Sequence, residues 1–135
     1  MKIVLDTNSL LVSISKKSKY RPIFDAIING KIQLLISNEI LTEYAEILAQ
    51  KTTEVISFNI TEFLAQATHV KKVEIYFRWH LIEKDVDDDK FVDCAVSGNA
   101  DYIITDDKHF NALIKVKFPI VKVLKTEDFL KLISE

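Results

Sequence analysis

"DDDKFVDCAVSGNADYIITDD", residues 87–107, decides how this chain is read. The stretch holds seven of the chain's 20 acidic residues, and between them lies an apolar interior with Cys94, Ala95, Val96, Tyr102, Ile103 and Ile104. An acidic tail stays solvated because it has nothing to bury, whereas this segment must pack into a core. "FVDCAVSG" reads as a helix ended by Gly98, and "DYIIT" (Asp101–Thr105) reads as a short buried strand. The carboxylates therefore sit at the ends of a helix–strand unit, and the rest of the chain has to explain what they meet there.

Working outward, "KIVLD" (Lys2–Asp6) and "KIQLLIS" (Lys31–Ser37) are two more apolar strands. "FPIVKVL" (Phe118–Leu124) reads as a further strand, with Pro119 confining its start to an edge, and "VKKVEIYF" (Val70–Phe77) as a partly alternating one. Helices separate them. "RPIFDAIING" has Pro22 near its start and Gly30 past its end. "NEILTEYAEILAQ" places Ile40, Tyr44, Ile47 and Leu48 on one stripe. Thr52–Ala67 reads as another helix, and Thr126, with Glu127 and Asp128 behind it, as the cap of a last one. Alternating helices and continuous apolar strands predict an α/β domain whose mostly parallel sheet is covered on both faces, a three-layer α/β/α architecture. The 135 residues contain two Gly, two Pro, no repeat and no linker, so residues 1–135 form a single domain.

Hydrophobic residues make up 48% and charged residues 28% of the chain, the balance of a soluble globular protein. No apolar run approaches the roughly 18–20 residues of a membrane span, and "MKIVLDTN" is too short and too acidic for a signal peptide. Cys94 is the sole cysteine, which rules out an intramolecular disulfide and a thiolate metal cluster. A cytoplasmic protein is the expectation. The net charge of −2 does not suit a simple nucleic-acid-coating protein. If five acids line one pocket, however, 18 basic groups face 15 acidic ones elsewhere.

Ligands of such sheets bind outside the carboxyl ends of the strands. Asp6 ends the first strand, Asp106 and Asp107 follow "DYIIT", and Glu43 lies on the helix after "QLLIS", four residues beyond Glu39. Asp89 and Asp93 are also four apart, on one helical face if the helix begins near Asp88. Several ionised carboxylates in one place are costly, and a divalent cation removes that cost. Oxygen ligands without Cys or His suit Mg2+ or Mn2+ better than Zn2+, and open coordination positions would serve phosphodiester hydrolysis. Taken singly, each acid has a plainer reading: Asp6 as a helix cap, Glu43 as a solvated helix residue, "DVDDD" as an exposed capping cluster. A calcium-loop reading of "DVDDDKFVD" fails because the loop glycine and the terminal Glu are absent.

Three segments, "IVLDTNSLLVSI", "LLISNEILTEYAEIL" and "DDDKFVDCAVSGNADYIITDDKHF", occur in an order and spacing that resembles the PIN-domain ribonucleases, in particular the small prokaryotic VapC-like toxins of toxin–antitoxin pairs. The resemblance implies a Mg2+- or Mn2+-dependent endoribonuclease with an antitoxin as partner. Its metal acids fall on Asp6, Glu43 and Asp107, with Asn8 and Thr105 in support. Asp89 matches the third acid of the wider superfamily, and Asp93 the additional acid of the "DDKF-x-D-x-A" subgroup. Which of the two is the direct ligand stays open. Asp106 stands where many relatives have Gly, outside the metal set. In-line attack by metal-activated water would leave a 5′-phosphate and a 3′-hydroxyl without a catalytic His.

Lys90, Lys108 and Arg78 are candidates for RNA phosphates, each with a salt-bridge partner as the plainer reading. His69, His80 and His109 read as surface or packing residues, and Cys94 as buried. Trp79 reads as a packing residue that could also stack on a base. Ile56, Ile60, Phe63 and Leu64 could supply a homodimer interface. Other classes stay in view. A haloacid-dehalogenase-type phosphatase needs a second Asp where this chain has Asn8, and a DNA flap nuclease needs extra acids and a helical arch. A silent PIN-fold scaffold that binds RNA or protein is the non-enzymatic alternative.

Overall fold

A computed structural model describes residues 1–82 and 85–135, with Val86 described by its backbone alone. The elements run β1 (Lys2–Leu5), α1 (Thr7–Ser13), α2 (Arg21–Ile28), β2 (Gln33–Ile36), α3 (Asn38–Lys51), α4 (Glu54–Gln66), β3 (Lys71–Lys72), α5 (Asp89–Ser97), β4 (Tyr102–Ile104), β5 (Val123–Leu124) and α6 (Thr126–Ile133). A 3-10 turn (Val86–Asp88) precedes α5, and a 3-10 helix (Lys108–Lys115) follows β4. The five strands form one sheet in the order β3-β2-β1-β4-β5, and every pairing is parallel. Helices flank the sheet, as the alternation in the sequence predicts. None of the described helices is long and apolar enough to cross a membrane.

β1 is central. Ile3, Val4 and Leu5 are fully buried, pairing Ile3 with Leu34 on one side and Leu5 with Ile104 on the other. The chain moves outward from β1 through β2 to β3, then returns to place β4 on β1's other side. The carboxyl ends of β1 and β4 thus flank the point where the direction of winding reverses, the usual place for a crevice in such sheets.

Two expected strands are shorter than their apolar runs. Of Val70–Phe77 only Lys71–Lys72 pairs, and of Phe118–Leu124 only Val123–Leu124. Both lie at the sheet's edges, where one side offers no ladder partner. Phe118 and Ile120 are 80% and 76% exposed, so the apolar run before β5 faces outward rather than into the core. On α4, Leu64 is buried and Ile60 and Phe63 pack partly against the core. The outward apolar surface of that helix comes from Val55, Ile56 and Phe58.

Helix ends follow local chemistry with one substitution of role. Ser37 caps α3 by accepting from the Ile40 amide at 3.3 Å, and Thr53 caps α4 by accepting from the Ile56 amide at 3.1 Å. Thr126 is not the cap of α6 but its first residue. The cap comes from a distant carboxylate: Asp106 accepts from the Thr126 amide at 2.9 Å and from its hydroxyl at 3.0 Å.

Gly98 ends α5 with an ordinary helical backbone. Its lack of a side chain matters because a Cβ there would lie 2.6 Å from Leu35 Cδ1 and 3.0 Å from Val73 Cγ2. That close approach seats α5 on β2. Gly98→Ala should lower unfolding stability by about 1–3 kcal/mol, the cost of overpacking a dense core, as read from urea denaturation midpoints.

Candidate metal centre

The site is assembled at the carboxyl edge of β1 and β4. Leu5 pairs with Ile104, and the Asp6 amide donates to the Ile104 carbonyl at 3.0 Å. Asp6 thereby lies beside Thr105, whose hydroxyl donates to Asp6 Oδ2 at 2.6 Å and accepts from the Asp107 amide at 3.0 Å. Asp6 occupies the cap position of α1 but makes no side-chain cap bond. Burial raises its pKa above the usual aspartate value, partly offset by Thr105 and the Thr7 amide; Asp107 and Glu43 add to the rise.

α3 brings Glu43. Tyr44 is fully buried and its hydroxyl donates to the Leu5 carbonyl, which ties α3 to the end of β1 one residue before Asp6. Glu43 then receives a hydrogen bond from the Thr7 hydroxyl on Oε2 and an ion pair from Lys90 on Oε1 at 2.9 Å. Lys90 is nearly buried, so this bridge is less screened than a surface pair.

The third contribution comes from the segment entering α5. Asp85, Asp88, Asp107 and His109 each offer a ligand atom, all within 4.8 Å of one another. His109 Nδ1 stands 3.6 Å from Asp85 Oδ2, 3.6 Å from Asp88 Oδ2 and 3.5 Å from Asp107 Oδ1. Asp88 is 8% exposed, and among the described residues neither its buried Oδ2 nor the buried His109 Nδ1 has a hydrogen-bond partner. Burial, followed by the charges of Asp85, Asp107 and Asp6, pushes the Asp88 carboxyl up to about 8. Such a concentration of negative groups, with orphaned ligand atoms inside it, has the donor chemistry of a divalent-cation site.

Asp89 and Asp93 bond to a different stretch of chain. Asp89 Oδ1 accepts from the Ile82 amide and Asp93 Oδ1 from the Trp79 amide, each at 2.9 Å. Their shared cavity is also lined by Glu39, Arg78, His80 and Lys90. Burial raises the Asp93 pKa, the Trp79 amide lowers it, and Asp89 raises it again. Among the described residues no hydrogen bond or ion pair joins Asp89 or Asp93 to Asp6 or Asp107. These two acids clamp the stretch from Trp79 to Ile82 onto α5.

The remaining candidates sort by contact. Asn8 is exposed and makes no side-chain hydrogen bond among the described residues. Arg78 pairs with Glu39 at 2.6 Å and Lys90 with Glu43, while Lys108 is exposed at the rim of a neighbouring cavity. His69 Nε2 meets the Ile27 carbonyl at 2.7 Å and its ring packs on Phe63, a packing role. Burial, with Asp93 nearby, pushes the Cys94 thiol up to about 12, which leaves it unreactive. Sequence reasoning missed Asp85, Asp88 and the cluster role of His109. The helix starts at Asp89, one residue later than the spacing argument assumed, and the 3-10 turn before it directs Asp88 toward Asp107.

A family model described as PIN domain matches residues 2–109. The chain belongs to the PIN domain family. No curated protein sequence matches it. Among solved structures it is similar to VapBC2 from Rickettsia felis bound to a promoter DNA fragment, at 15% identity and a TM-score of 0.62, over 93% of this chain and 98% of that one. FitAcB from Neisseria gonorrhoeae matches at 18% identity and a TM-score of 0.57, again over 93% and 98%. The PIN domain endonuclease Utp24 matches at 19% identity and a TM-score of 0.54, over 92% of this chain and 84% of that one. At these identities the likeness is one of PIN fold.

Neighbouring acids Asp106 and Asp107 have separable roles in this PIN domain. Asp106→Ala should cost about 1 kcal/mol of stability through the lost α6 cap, read by thermal or urea unfolding. Asp107→Ala should instead relieve the crowding around Asp88 and leave α6 intact by hydrogen exchange.

Proposed function

We propose that this chain is a Mg2+- or Mn2+-dependent endoribonuclease and the toxin of a toxin–antitoxin pair. The observation that carries the proposal is the convergence of Asp6, Glu43, Asp88 and Asp107 at the winding reversal of the sheet, with buried ligand atoms that have no hydrogen-bond partner among the described residues. Membership of the PIN domain family supports nucleic-acid hydrolysis, and the fold is shared with the endonuclease Utp24. The fold shared with VapBC2 and FitAcB, together with the resemblance of the three sequence segments to small prokaryotic toxins, supports an antitoxin protein as partner. RNA as substrate rests on that same resemblance.

The donor set fits a hard or borderline cation. Asp6, Glu43 and Asp107 would hold it in either assignment. The fourth acid is Asp88 by geometry and Asp89, joined by Asp93, by resemblance. The imidazole of His109 beside the carboxylates favours Mn2+ over Mg2+. When bound, the ion supplies an acidified water and positive charge against the cleaved phosphate. The chain's own residues supply orientation. Thr105 fixes the Asp6 carboxylate and, through the Asp107 amide, the start of the following loop. Thr7 and Lys90 hold the two oxygens of Glu43 from opposite sides. Removing such supporting groups from a metal site costs roughly 10–100-fold in affinity or activity.

Cleavage of a mixed RNA pool should require Mg2+ or Mn2+, stop in EDTA, and be lost in Asp6→Asn, with DNA and a generic phosphatase substrate untouched. Well-folded protein that neither cuts RNA nor binds Mn2+ would refute the enzyme. The fourth acid is settled by a pair of variants. Asp88→Asn should weaken Mn2+ binding by about tenfold or more, while Asp89→Asn keeps an acceptor for Ile82 and leaves binding within about twofold. The opposite ranking would assign the fourth place to Asp89.

A further inference from the structure

Beside the acid centre the molecule carries a surface of the opposite character. Residues 114–125, "IKVKFPIVKVLK", hold four lysines and no acid. Lys115, Lys117, Lys122 and Lys125 are all exposed, and so are Ile114, Phe118 and Ile120. Among the described residues none of these lysines, nor Lys108, takes part in an ion pair. The Phe118 ring meets the Trp79 ring edge-on at 5.8 Å, and Trp79 meets Phe77 edge-on at 4.6 Å. Phe77 and Phe118 are 59% and 80% exposed. Three aromatic rings therefore stand together at the surface, and Lys115 and Lys117, close to Phe118 in the chain, are exposed beside them without an ion pair among the described residues.

A cavity of about 770 Å3 borders the acid cluster on this side. It is lined by Leu81, Ile82, Lys108, His109, Asn111 and Lys115 among others. His109 belongs to the acid cluster, while Leu81 and Lys115 run through short stretches of chain to Trp79 and Phe118. The clamp formed by Asp93 on the Trp79 amide and Asp89 on the Ile82 amide holds the aromatic side of this path against α5.

Resting on the nuclease reading, we propose that the Phe77–Trp79–Phe118 cluster, with Lys108, Lys115 and Lys117, forms a track for single-stranded RNA that leads along the cavity to the acid centre. Aromatic faces stack on unpaired bases and lysines follow the phosphates, which is the recipe for single-strand binding. Charge decides against a protein occupant. Interface cores are depleted in lysine, and burying these exposed ammonium groups against another protein carries a desolvation cost that phosphates in a solvated track avoid. Duplex RNA is disfavoured because its bases are already stacked and its faces hidden.

Trp79 is the only tryptophan, so its fluorescence reports the track directly. A mixed-sequence single-stranded RNA titrated into the whole chain in EDTA, where cleavage is off, should quench Trp79. The same RNA annealed into a duplex should quench it far less. Phe118→Ala, at an exposed position that the fold does not need, should weaken binding by roughly tenfold. Lys115→Ala with Lys117→Ala should flatten the salt dependence by about 0.7 per lysine in the log–log slope. Labelled RNA that binds by anisotropy without quenching Trp79, or equal quenching by duplex, would overturn the track. So would a Phe118→Ala protein that binds and cuts like the parent, or a concentration-dependent self-association that Phe118→Ala abolishes. Quenching and the Phe118 effect in a protein that cuts no RNA with any metal would leave the track standing and remove the nuclease.

Discussion

The site depends on the register in which β1 lies beside β4. With Leu5 opposite Ile104, Asp6 and Thr105 are brought level at the sheet edge, and the 2.6 Å bond between them follows. A slip of one residue would turn every side chain of the strand to the other face and carry Asp6 away from Thr105. The register is held by burial rather than by the polar groups it aligns. Ile3, Val4, Leu5, Ile103 and Ile104 are all without exposure, and each buried aliphatic side chain contributes roughly 1.5–3 kcal/mol relative to an exposed one. The hydrophobic strands thus supply the free energy that allows several carboxylates to be crowded at their ends.

The crowding has a division of labour. Glu43 is compensated from within the chain by Lys90 and Thr7, and Asp6 by Thr105 and a backbone amide. Among the described residues Asp88 has no such compensation; its Oδ2 is buried without a hydrogen-bond partner beside Asp85, Asp107 and His109. Charge that the fold leaves unneutralised in one place while neutralising it nearby marks where an external cation would gain most. The lysine-bearing aromatic surface beyond the cavity extends the same asymmetry outward.

Much of this was legible in residue order. β1, β2 and β4 are continuous apolar runs, and the acids that follow them fall at one sheet edge because parallel strands share their direction. Asp6, Glu43, Asp107 and Thr105 could be placed that way. The assignment within "DVDDDKFVD" could not, because adjacent acids differ only in the local backbone path. Successive residues of a helix point about 100° apart, and the turn at Val86–Asp88 decides which of Asp88 and Asp89 faces Asp107. His109 was discounted because a lone histidine after a loop carries no periodic signal. The outward turn of Phe118 and Ile120 was likewise hidden, since an apolar run at an edge strand looks the same in sequence whether it is buried or exposed.

Asp106 joins the loop after β4 to the amino end of α6, a helix that lies beyond residue 109, where the match to the family ends. The bond therefore makes a peripheral helix a structural strut for the loop that carries Asp107. Two consecutive aspartates are divided between the acid cluster and this strut. A change in α6 that loosened its first turn would be transmitted to the acid-cluster side chain of Asp107 next door. The C-terminal helix is thus mechanically coupled to the centre of the molecule through its first residue.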